Sequence, residues 1–127
     1  MSNRRASGSS DYRAFLRSPA WFARRARWFR TAQQRGDAIA CGVCGAAGTE
    51  SSLELHHLDY VGVTIVDGKW RAFEPHADLM PMHPSCHELV HRLVDRDTVL
   101  SRQRTRRDAT AIAAESIRQA LTRQELS

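Results

Sequence analysis

The sequence lacks several features that would place the chain in common protein classes. Lysine is nearly absent: of 19 basic residues only Lys69 is a lysine, so the net charge of +5 rests on arginine. No apolar run approaches the length of a membrane span, and the first ten residues contain no apolar core of a signal peptide. We therefore expect a soluble, cytoplasmic protein with no membrane partner.

Cysteine is also scarce, and its spacing argues against a disulfide framework. There are three cysteines, an odd number, and two of them form the C-x-x-C of "CGVCG". The third ends "HPSC", an H-x-x-C about forty residues later. Two such pairs predict a tetrahedral structural Zn²⁺ in a reducing compartment. The predicted ligands are Cys41, Cys44, His83 and Cys86; the alternative is that His83 lies on the surface and the site is broken.

The chain length of 127 residues suits one small domain, whose thin core a metal can stabilise. Residues 1–10 are polar and rich in Gly and Ser, which predicts disorder. Residues 11–97 are predicted to form the domain, including an N-terminal amphipathic helix. Residues 98–127 are predicted to form a basic and amphipathic helical extension. Its weak apolar stripe either binds a protein partner or a second copy, or packs back on the domain. The stripe consists of Ile112, Ala113, Ile117, Ala120, Leu121 and Gln124.

An aromatic-rich segment, "RSPAWFARRARWFRTAQQRGD", predicts the N-terminal helix. Ser18 is the expected N-cap, Pro19 suits the first turn and Gly36 ends the pattern. The apolar stripe that should face the core is Trp21, Phe22, Trp28, Phe29 and Ala32. Arginines largely off that stripe could bind phosphate, because guanidinium matches it bidentately; a solvated surface is the alternative for each. They are Arg24, Arg27, Arg30 and Arg35, with Arg102, Arg104, Arg106 and Arg107 as a second basic group.

The middle of the chain reads as strands followed by a helix. "SLELHHL" predicts a short strand, and Asp67-Gly68 between two apolar runs predicts a hairpin. The segment "DLMPMHPSCHELVHRLV" should begin extended and become helical near Ser85, which with Glu88 forms a capping box. Together these elements indicate an α+β fold.

Four histidines lie on that strand and that helix. His87 and His91 stand four residues apart and share a helix face, and His56 on the strand can join them on one metal ion. His57 points to the opposite strand face and is free to move a proton. Three imidazoles favour Zn²⁺, Ni²⁺ or Mn²⁺ over Mg²⁺. Each histidine alone would be read as a buried, hydrogen-bonded residue.

The combination "C-x-x-C … ELHHLDY … DLMPMHPSCHELVH" resembles the HNH endonucleases, the ββα-metal (His-Me finger) nucleases with a zinc knuckle. The resemblance covers about residues 12–93 and implies a bacterial or phage setting. It implies that His57 is the general base and that Asp78 orients it. Asp78 stands at the place of the family's middle Asn. One divalent ion is implied to be held by the remaining histidines of the strand and the helix. It also implies work with Mg²⁺ or Mn²⁺, double-stranded DNA bound by the helix, and a 5′-phosphate product. The metal-binding histidines are His56, His87 and His91, and Arg92 and Arg96 continue their helix towards phosphate.

The predicted function is therefore a metal-dependent DNA endonuclease of low sequence specificity, since no second recognition module is visible. One alternative is a non-catalytic zinc-knuckle protein that binds nucleic acid; another is a nuclease subunit that acts only with a partner, as in phage packaging or restriction. His76, in the insertion "VGVTIVDGKWRAFEPH", is an incidental surface residue, an alternative ligand or a substrate contact.

Overall fold

The computed structural model describes residues 4–5, 9–97 and 104–126, which fall into two compact units. The first unit comprises residues up to 38 together with 59–79, and the second comprises 39–58 and 80 onward. The described residues form four α-helices and two small antiparallel sheets, in agreement with the predicted α+β class. The elements are β1 (Arg4–Arg5), α1 (Ser9–Leu16), α2 (Pro19–Arg35), β2 (Glu54–His57), β3 (Val63–Val66), β4 (Lys69–Ala72), a 3-10 turn (His76–Asp78), β5 (Leu79–Met82), α3 (Pro84–Arg96) and α4 (Arg106–Leu126).

Helix α2 of the first unit begins and ends as predicted. The Ser18 hydroxyl accepts a hydrogen bond from the Trp21 N–H at 3.2 Å and donates to the Phe15 carbonyl at 2.6 Å. Pro19 occupies the first turn, and Gly36 ends the helix in the left-handed conformation, with φ of 75°. Local cap chemistry was therefore sufficient to predict both ends of this helix.

The predicted apolar stripe of α2 is buried except at one position. Trp21, Trp28, Phe29 and Ala32 are buried, but Phe22 is 59% exposed. Conversely, Arg24, which was expected to lie off the stripe, is only 5% exposed. Both lie near the edge of the stripe, where periodicity alone does not decide which side chain faces the core.

A three-stranded sheet with the order β1-β3-β4 completes the first unit. The predicted hairpin turn joins β3 to β4 at Asp67 and Gly68, whose φ angles of 53° and 76° are those of a type I′ turn. In β1, Arg4 pairs with Ile65 and Arg5 with Thr64. Of residues 1–10, which the sequence predicts to be disordered, the structure describes the two residues of β1 and Ser9 and Ser10, which begin α1; the remaining residues of that segment lie outside the described part of the chain.

The second unit holds the C-x-x-C knuckle of Cys41 and Cys44, β2, most of β5, α3 and α4. Ala40 and Ala47 form a bridge around the knuckle turn, β2 pairs with β5, and α3 begins two residues after β5 ends. The predicted capping box at Ser85 is wrong. Helix α3 begins at Pro84, and its N-cap residue is His83, which provides no side-chain cap. Because Pro84 fixes a helical φ one position earlier, Ser85 lies inside the first turn.

Helix α4 belongs to the second unit and packs on α3. Its buried residues include Ala109, Ala113 and Ile117, whereas Ile112 and Leu121 of the predicted stripe are 41% and 36% exposed. Part of the predicted extension, residues 98–103, lies outside the described residues. Of the two alternatives for the C-terminal stripe, packing against the same unit is what the structure shows for α4. No helix in the described ranges is both long and apolar enough to cross a bilayer.

Candidate metal centres

The four predicted zinc ligands meet in the second unit. Cys41, Cys44, His83 and Cys86 each offer one ligand atom, and these atoms all lie within 4.8 Å of one another. The Cys44 Sγ and the His83 Nδ1 are 3.5 Å apart. Three thiols and one imidazole in one small cluster are a donor set that Zn²⁺ binds tetrahedrally. The prediction that His83 completes this cluster is therefore confirmed as geometry, and the residues fit Zn²⁺.

The backbone of the knuckle is arranged to stabilise a thiolate. The N–H groups of Val43 and His83 each lie 3.4 Å from the Cys41 Sγ. Burial alone would raise the pKa of the Cys41 thiol, but the backbone hydrogen bonds from Cys44, His83 and Val43 outweigh it and lower that pKa to about 6. A lowered thiol pKa favours the deprotonated form that binds metal.

The pKa of the neighbouring Cys86 moves in the opposite direction. Burial raises the pKa of the Cys86 thiol to about 12, and the sulfurs of Cys41 and Cys44 add to the increase. Three thiolates cannot accumulate so close together unless a cation compensates their charge. The cluster is therefore suited to a divalent ion.

Two contacts hold the knuckle to the rest of its unit. The Gly42 N–H donates to the Pro81 carbonyl at 2.7 Å, which joins the C-x-x-C segment to the segment of the second ligand pair. From α4, the Arg118 guanidinium donates to the carbonyls of Val43 and Gly42 at 3.0 and 2.9 Å. Helix α4 therefore takes part in the structure around the predicted zinc site.

The second predicted cluster also forms. One ring nitrogen from each of His56, His87 and His91 lies within 4.8 Å of the others. The His87 Nε2 is 3.1 Å from the His56 Nδ1 and 3.1 Å from the His91 Nε2. Two nitrogens bound to one ion at about 2.0–2.1 Å stand roughly 3.0–3.4 Å apart, so both separations fit shared coordination. The strand and the helix bring together the three histidines that the spacing predicted.

Each of two cluster imidazoles has a partner on its other nitrogen. The His87 Nδ1 lies 2.9 Å from the Glu54 carboxylate, and the His56 Nε2 lies 2.9 Å from the Thr110 hydroxyl on α4. Because a carboxylate only accepts, the His87 Nδ1 carries the proton and its Nε2 lone pair faces the cluster. Such partners orient ligating histidines and fix their tautomers.

Burial and nearby positive charge lower the pKa of two of the clustered imidazoles, His56 and His91. Burial lowers the pKa of His56 to about 2, with further lowering by the positive charge of Arg106 and by the neighbouring histidines. Burial also lowers the pKa of His91, with His87 and Arg106 as the next causes. A neutral imidazole is the form that binds metal, so these directions fit a cation site.

The predicted general base lies beside this cluster but does not belong to it. His57 follows His56 on β2, is fully buried, and its carbonyl accepts a hydrogen bond from the Arg106 Nε. Asp78, its predicted orienting residue, lies at the end of the 3-10 turn in the first unit, where its N–H donates to the Pro75 carbonyl at 3.0 Å.

Arg24 is not available for the phosphate contact that the sequence suggested. It is 5% exposed, and its Nε donates to the Glu74 carbonyl at 3.0 Å. The other five predicted phosphate-binding arginines are exposed, and one of them, Arg92, forms an i,i+4 ion pair with Glu88. An exposed pair of this kind is weak, so it can yield to phosphate. These five are Arg27, Arg30, Arg35, Arg92 and Arg96.

The described arginines of the second basic group also include both exposed and half-buried side chains. Arg104 and Arg107 are exposed, Arg106 is half-buried against the His57 carbonyl, and Arg102 lies outside the described residues. His76 stacks on Trp28 with ring centroids 4.6 Å apart, and the Trp28 indole N–H donates to the His76 carbonyl. His76 therefore packs against α2 and is not among the clustered ligands of the described chain.

Sequence reasoning missed the residues that support the ligands. Glu54 could have been found, because it precedes His56 by two residues and so shares its face of the strand. Thr110, Arg106 and Arg118 could not, because they act from a helix more than 45 residues further along the chain. No family model, curated protein or solved structure matches the chain.

Proposed function

We propose that the protein is a metal-dependent endonuclease that hydrolyses phosphodiester bonds in DNA. The observation that carries the proposal is the convergence of His56, His87 and His91, from β2 and α3, beside the strand neighbour His57. The resemblance of "ELHHLDY" and "CHELVH" to the HNH nucleases assigns these positions to metal binding and proton transfer. The Cys3His cluster beside them would hold a structural Zn²⁺.

A divalent cation held by the three imidazoles would supply electrostatic stabilisation of the scissile phosphate and of the leaving oxygen. The Glu54 carboxylate and the Thr110 hydroxyl orient two of these imidazoles. His57 is proposed to take the proton of the attacking water, as an imidazole can near neutral pH. Because His57 is fully buried, this role requires that its ring become accessible when DNA binds.

The exposed arginines support a polyanionic substrate. Arg27, Arg30 and Arg35 project from α2, and Arg92 and Arg96 from the ligand-bearing helix α3. Their contacts would be made to phosphates, which position a protein on DNA without reading its sequence. Low sequence specificity is proposed on the same ground.

The test is nicking of supercoiled plasmid by the purified protein in Mg²⁺, Mn²⁺, Ni²⁺, Zn²⁺ and EDTA. His91→Ala, purified in parallel, controls for contaminating nuclease, and its zinc content and melting temperature control for folding. We expect metal-dependent nicking by the wild type that His91→Ala loses. Nicking that is equal in both proteins, or absent from zinc-loaded wild type with every ion, would contradict the proposal.

A second candidate is a zinc-knuckle module that binds nucleic acid without cutting it, or that cuts only with a partner. The observation that favours it is the complete burial of His57, which keeps the proposed base from water. DNA binding without nicking would support this candidate. Nicking that appeared only after a partner protein was added would support the partner-dependent nuclease.

A further inference from the structure

Helix α4 reaches the histidine cluster through the side chain of Thr110. The Thr110 hydroxyl and the His56 Nε2 are 2.9 Å apart, and both residues are 1% exposed. They stand 54 positions apart in sequence, so their contact depends on the packing of α4 in this unit. The bond occupies the one ring nitrogen of His56 that does not face the other histidines.

This geometry decides which nitrogen of His56 is available to a cation. The Nδ1 faces the His87 Nε2 at 3.1 Å, so Nδ1 is the ligand atom that the cluster offers. A neutral imidazole that binds metal through Nδ1 carries its proton on Nε2. In a buried position that N–H needs an acceptor, and leaving it without one is costly.

We propose that Thr110 is a positioning residue for metal binding, whose hydroxyl accepts a hydrogen bond from the Nε2–H of His56 and thereby holds Nδ1 towards the ion. The inference rests on the proposed metal site and deepens it, since it makes α4 part of that site. A threonine hydroxyl within a helix can donate a hydrogen bond to the carbonyl four residues earlier, which leaves its oxygen free to accept another. Thr110 would thus orient the imidazole of His56, as the Glu54 carboxylate orients that of His87.

The metal-free protein depends less on this hydroxyl. Without an ion, His56 can carry its proton on Nδ1 and donate it to the His87 Nε2, 3.1 Å away. Loss of the hydroxyl should therefore weaken metal binding more than it weakens the fold. Replacing a residue that has only a structural role would weaken metal binding and the fold together.

The experiment compares Thr110→Val, which keeps the side-chain shape, with Thr110→Ser, which keeps the hydroxyl. Thr122→Val is the matched control, because Thr122 is an exposed threonine on the same helix whose hydroxyl bonds the Arg118 carbonyl. Full-length protein carrying one equivalent of zinc is titrated calorimetrically with a second equivalent of Zn²⁺. Melting temperature before the titration reports the fold.

Thr110→Val is expected to weaken binding of the second Zn²⁺ by about 10- to 100-fold, the range typical for loss of a partner behind a ligating histidine. Thr110→Ser should recover most of the affinity, and Thr122→Val should equal the wild type. In ¹⁵N-histidine-labelled wild type with both sites loaded, the Nε2–H of His56 should exchange slowly with water. Wild-type affinity in Thr110→Val, or a Thr110→Ser variant as weak as Thr110→Val, would overturn the inference.

Failure of the proposed function gives a different result. If the wild type takes up no second Zn²⁺, the metal site itself is refuted, and the inference with it. If the wild type binds the ion and nicks DNA while Thr110→Val does both equally well, only the role of Thr110 is refuted. Should Thr110→Val fail to fold, rapid exchange of the His56 Nε2–H in the loaded wild type would still overturn the inference.

Discussion

Replacement of His56 and replacement of its neighbour His57 should have different effects on the protein. His57→Gln keeps most of the buried volume but removes the proposed base, so nicking should fall by about 100-fold or more while binding of the second metal ion is unchanged. His56→Gln should instead lose that ion, because His56 supplies one of three convergent nitrogens. Plasmid nicking and calorimetric metal titration on the same preparations separate the two effects.

Burial makes the His57 result informative in either direction. His57 is fully enclosed, so a histidine with only a packing role would reveal itself by a lower melting temperature and an unaltered rate per folded molecule. If His57→Gln abolished metal binding while His56→Gln kept it, the roles of the two strand histidines would have to be exchanged.

The clustering of the three histidines could be predicted from the sequence, but the residues that hydrogen-bond to them mostly could not. The strand period of two and the helix spacing of four sufficed to bring His56, His87 and His91 together, because both repeats are fixed by backbone geometry. The contact of Thr110 with His56 depends on how α4 packs, which no local spacing encodes. The burial of Arg24 was not predicted, because a guanidinium at the edge of an apolar stripe can point either way.

Two serines near helix starts make a matched test at the scale of the element. Ser18 caps α2 through the Trp21 N–H, so Ser18→Ala should lower the free energy of unfolding by about 1 kcal/mol. Ser85 lies inside the first turn of α3 and has no capping role there, so Ser85→Ala should stay within about 0.5 kcal/mol of the wild type. Urea unfolding of zinc-loaded protein measures both.

Each of the two serine predictions can be contradicted by a definite result. A loss of about 1 kcal/mol in Ser85→Ala would restore the capping box that the sequence suggested, with the helix starting at Ser85. An unaltered free energy of unfolding in Ser18→Ala would mean that the Phe15 and Trp21 contacts of its hydroxyl contribute nothing to α2.

The zinc knuckle should behave as a folding element. Cys44→Ala removes one of the four predicted ligands, so the protein should bind zinc weakly and melt at a markedly lower temperature, because zinc binding supplies folding free energy in small domains. Elemental analysis and thermal unfolding are the measurements. Chelation of zinc from the wild type should reproduce the same loss. An unchanged melting temperature in Cys44→Ala would refute the structural-zinc prediction.

Elements with strong local signals were foreseen most accurately. Helix α2 was defined by a capping serine, a first-turn proline and a terminal glycine, and the β3–β4 turn by Asp67-Gly68, all of which act within a few residues. The start of α3 was misplaced by the competing signal of Pro84. Strand β1 was missed because two arginines carry no strand pattern and gain their pairing only from β3.

For the whole molecule, composition predicted a polyanionic partner, and the structure separates the arginines that could bind it from those that support the fold. Net charge says nothing about which guanidinium is buried. Arg24, Arg106 and Arg118 each donate to a backbone carbonyl, whereas Arg27, Arg30 and Arg35 are exposed. Salt dependence of DNA binding distinguishes these groups, because it counts the phosphates that a protein neutralises.

Two exposed arginines of α2, Arg27 and Arg30, and the buried Arg24 should therefore differ in their effect on the salt dependence of DNA binding when they are changed to glutamine. Each lost phosphate contact reduces the slope of log K against log salt by about 0.9, so Arg27→Gln with Arg30→Gln should reduce it by up to about 1.8. Arg24→Gln should leave the slope unaltered and lower the melting temperature, since the Glu74 carbonyl loses its donor. Fluorescence anisotropy with a labelled duplex across a salt series, in zinc-loaded protein without other added divalent ions, gives the slopes. An unaltered slope in the double variant would remove α2 from the DNA-binding surface, and a reduced slope in Arg24→Gln would mean that this guanidinium leaves its buried position when DNA binds.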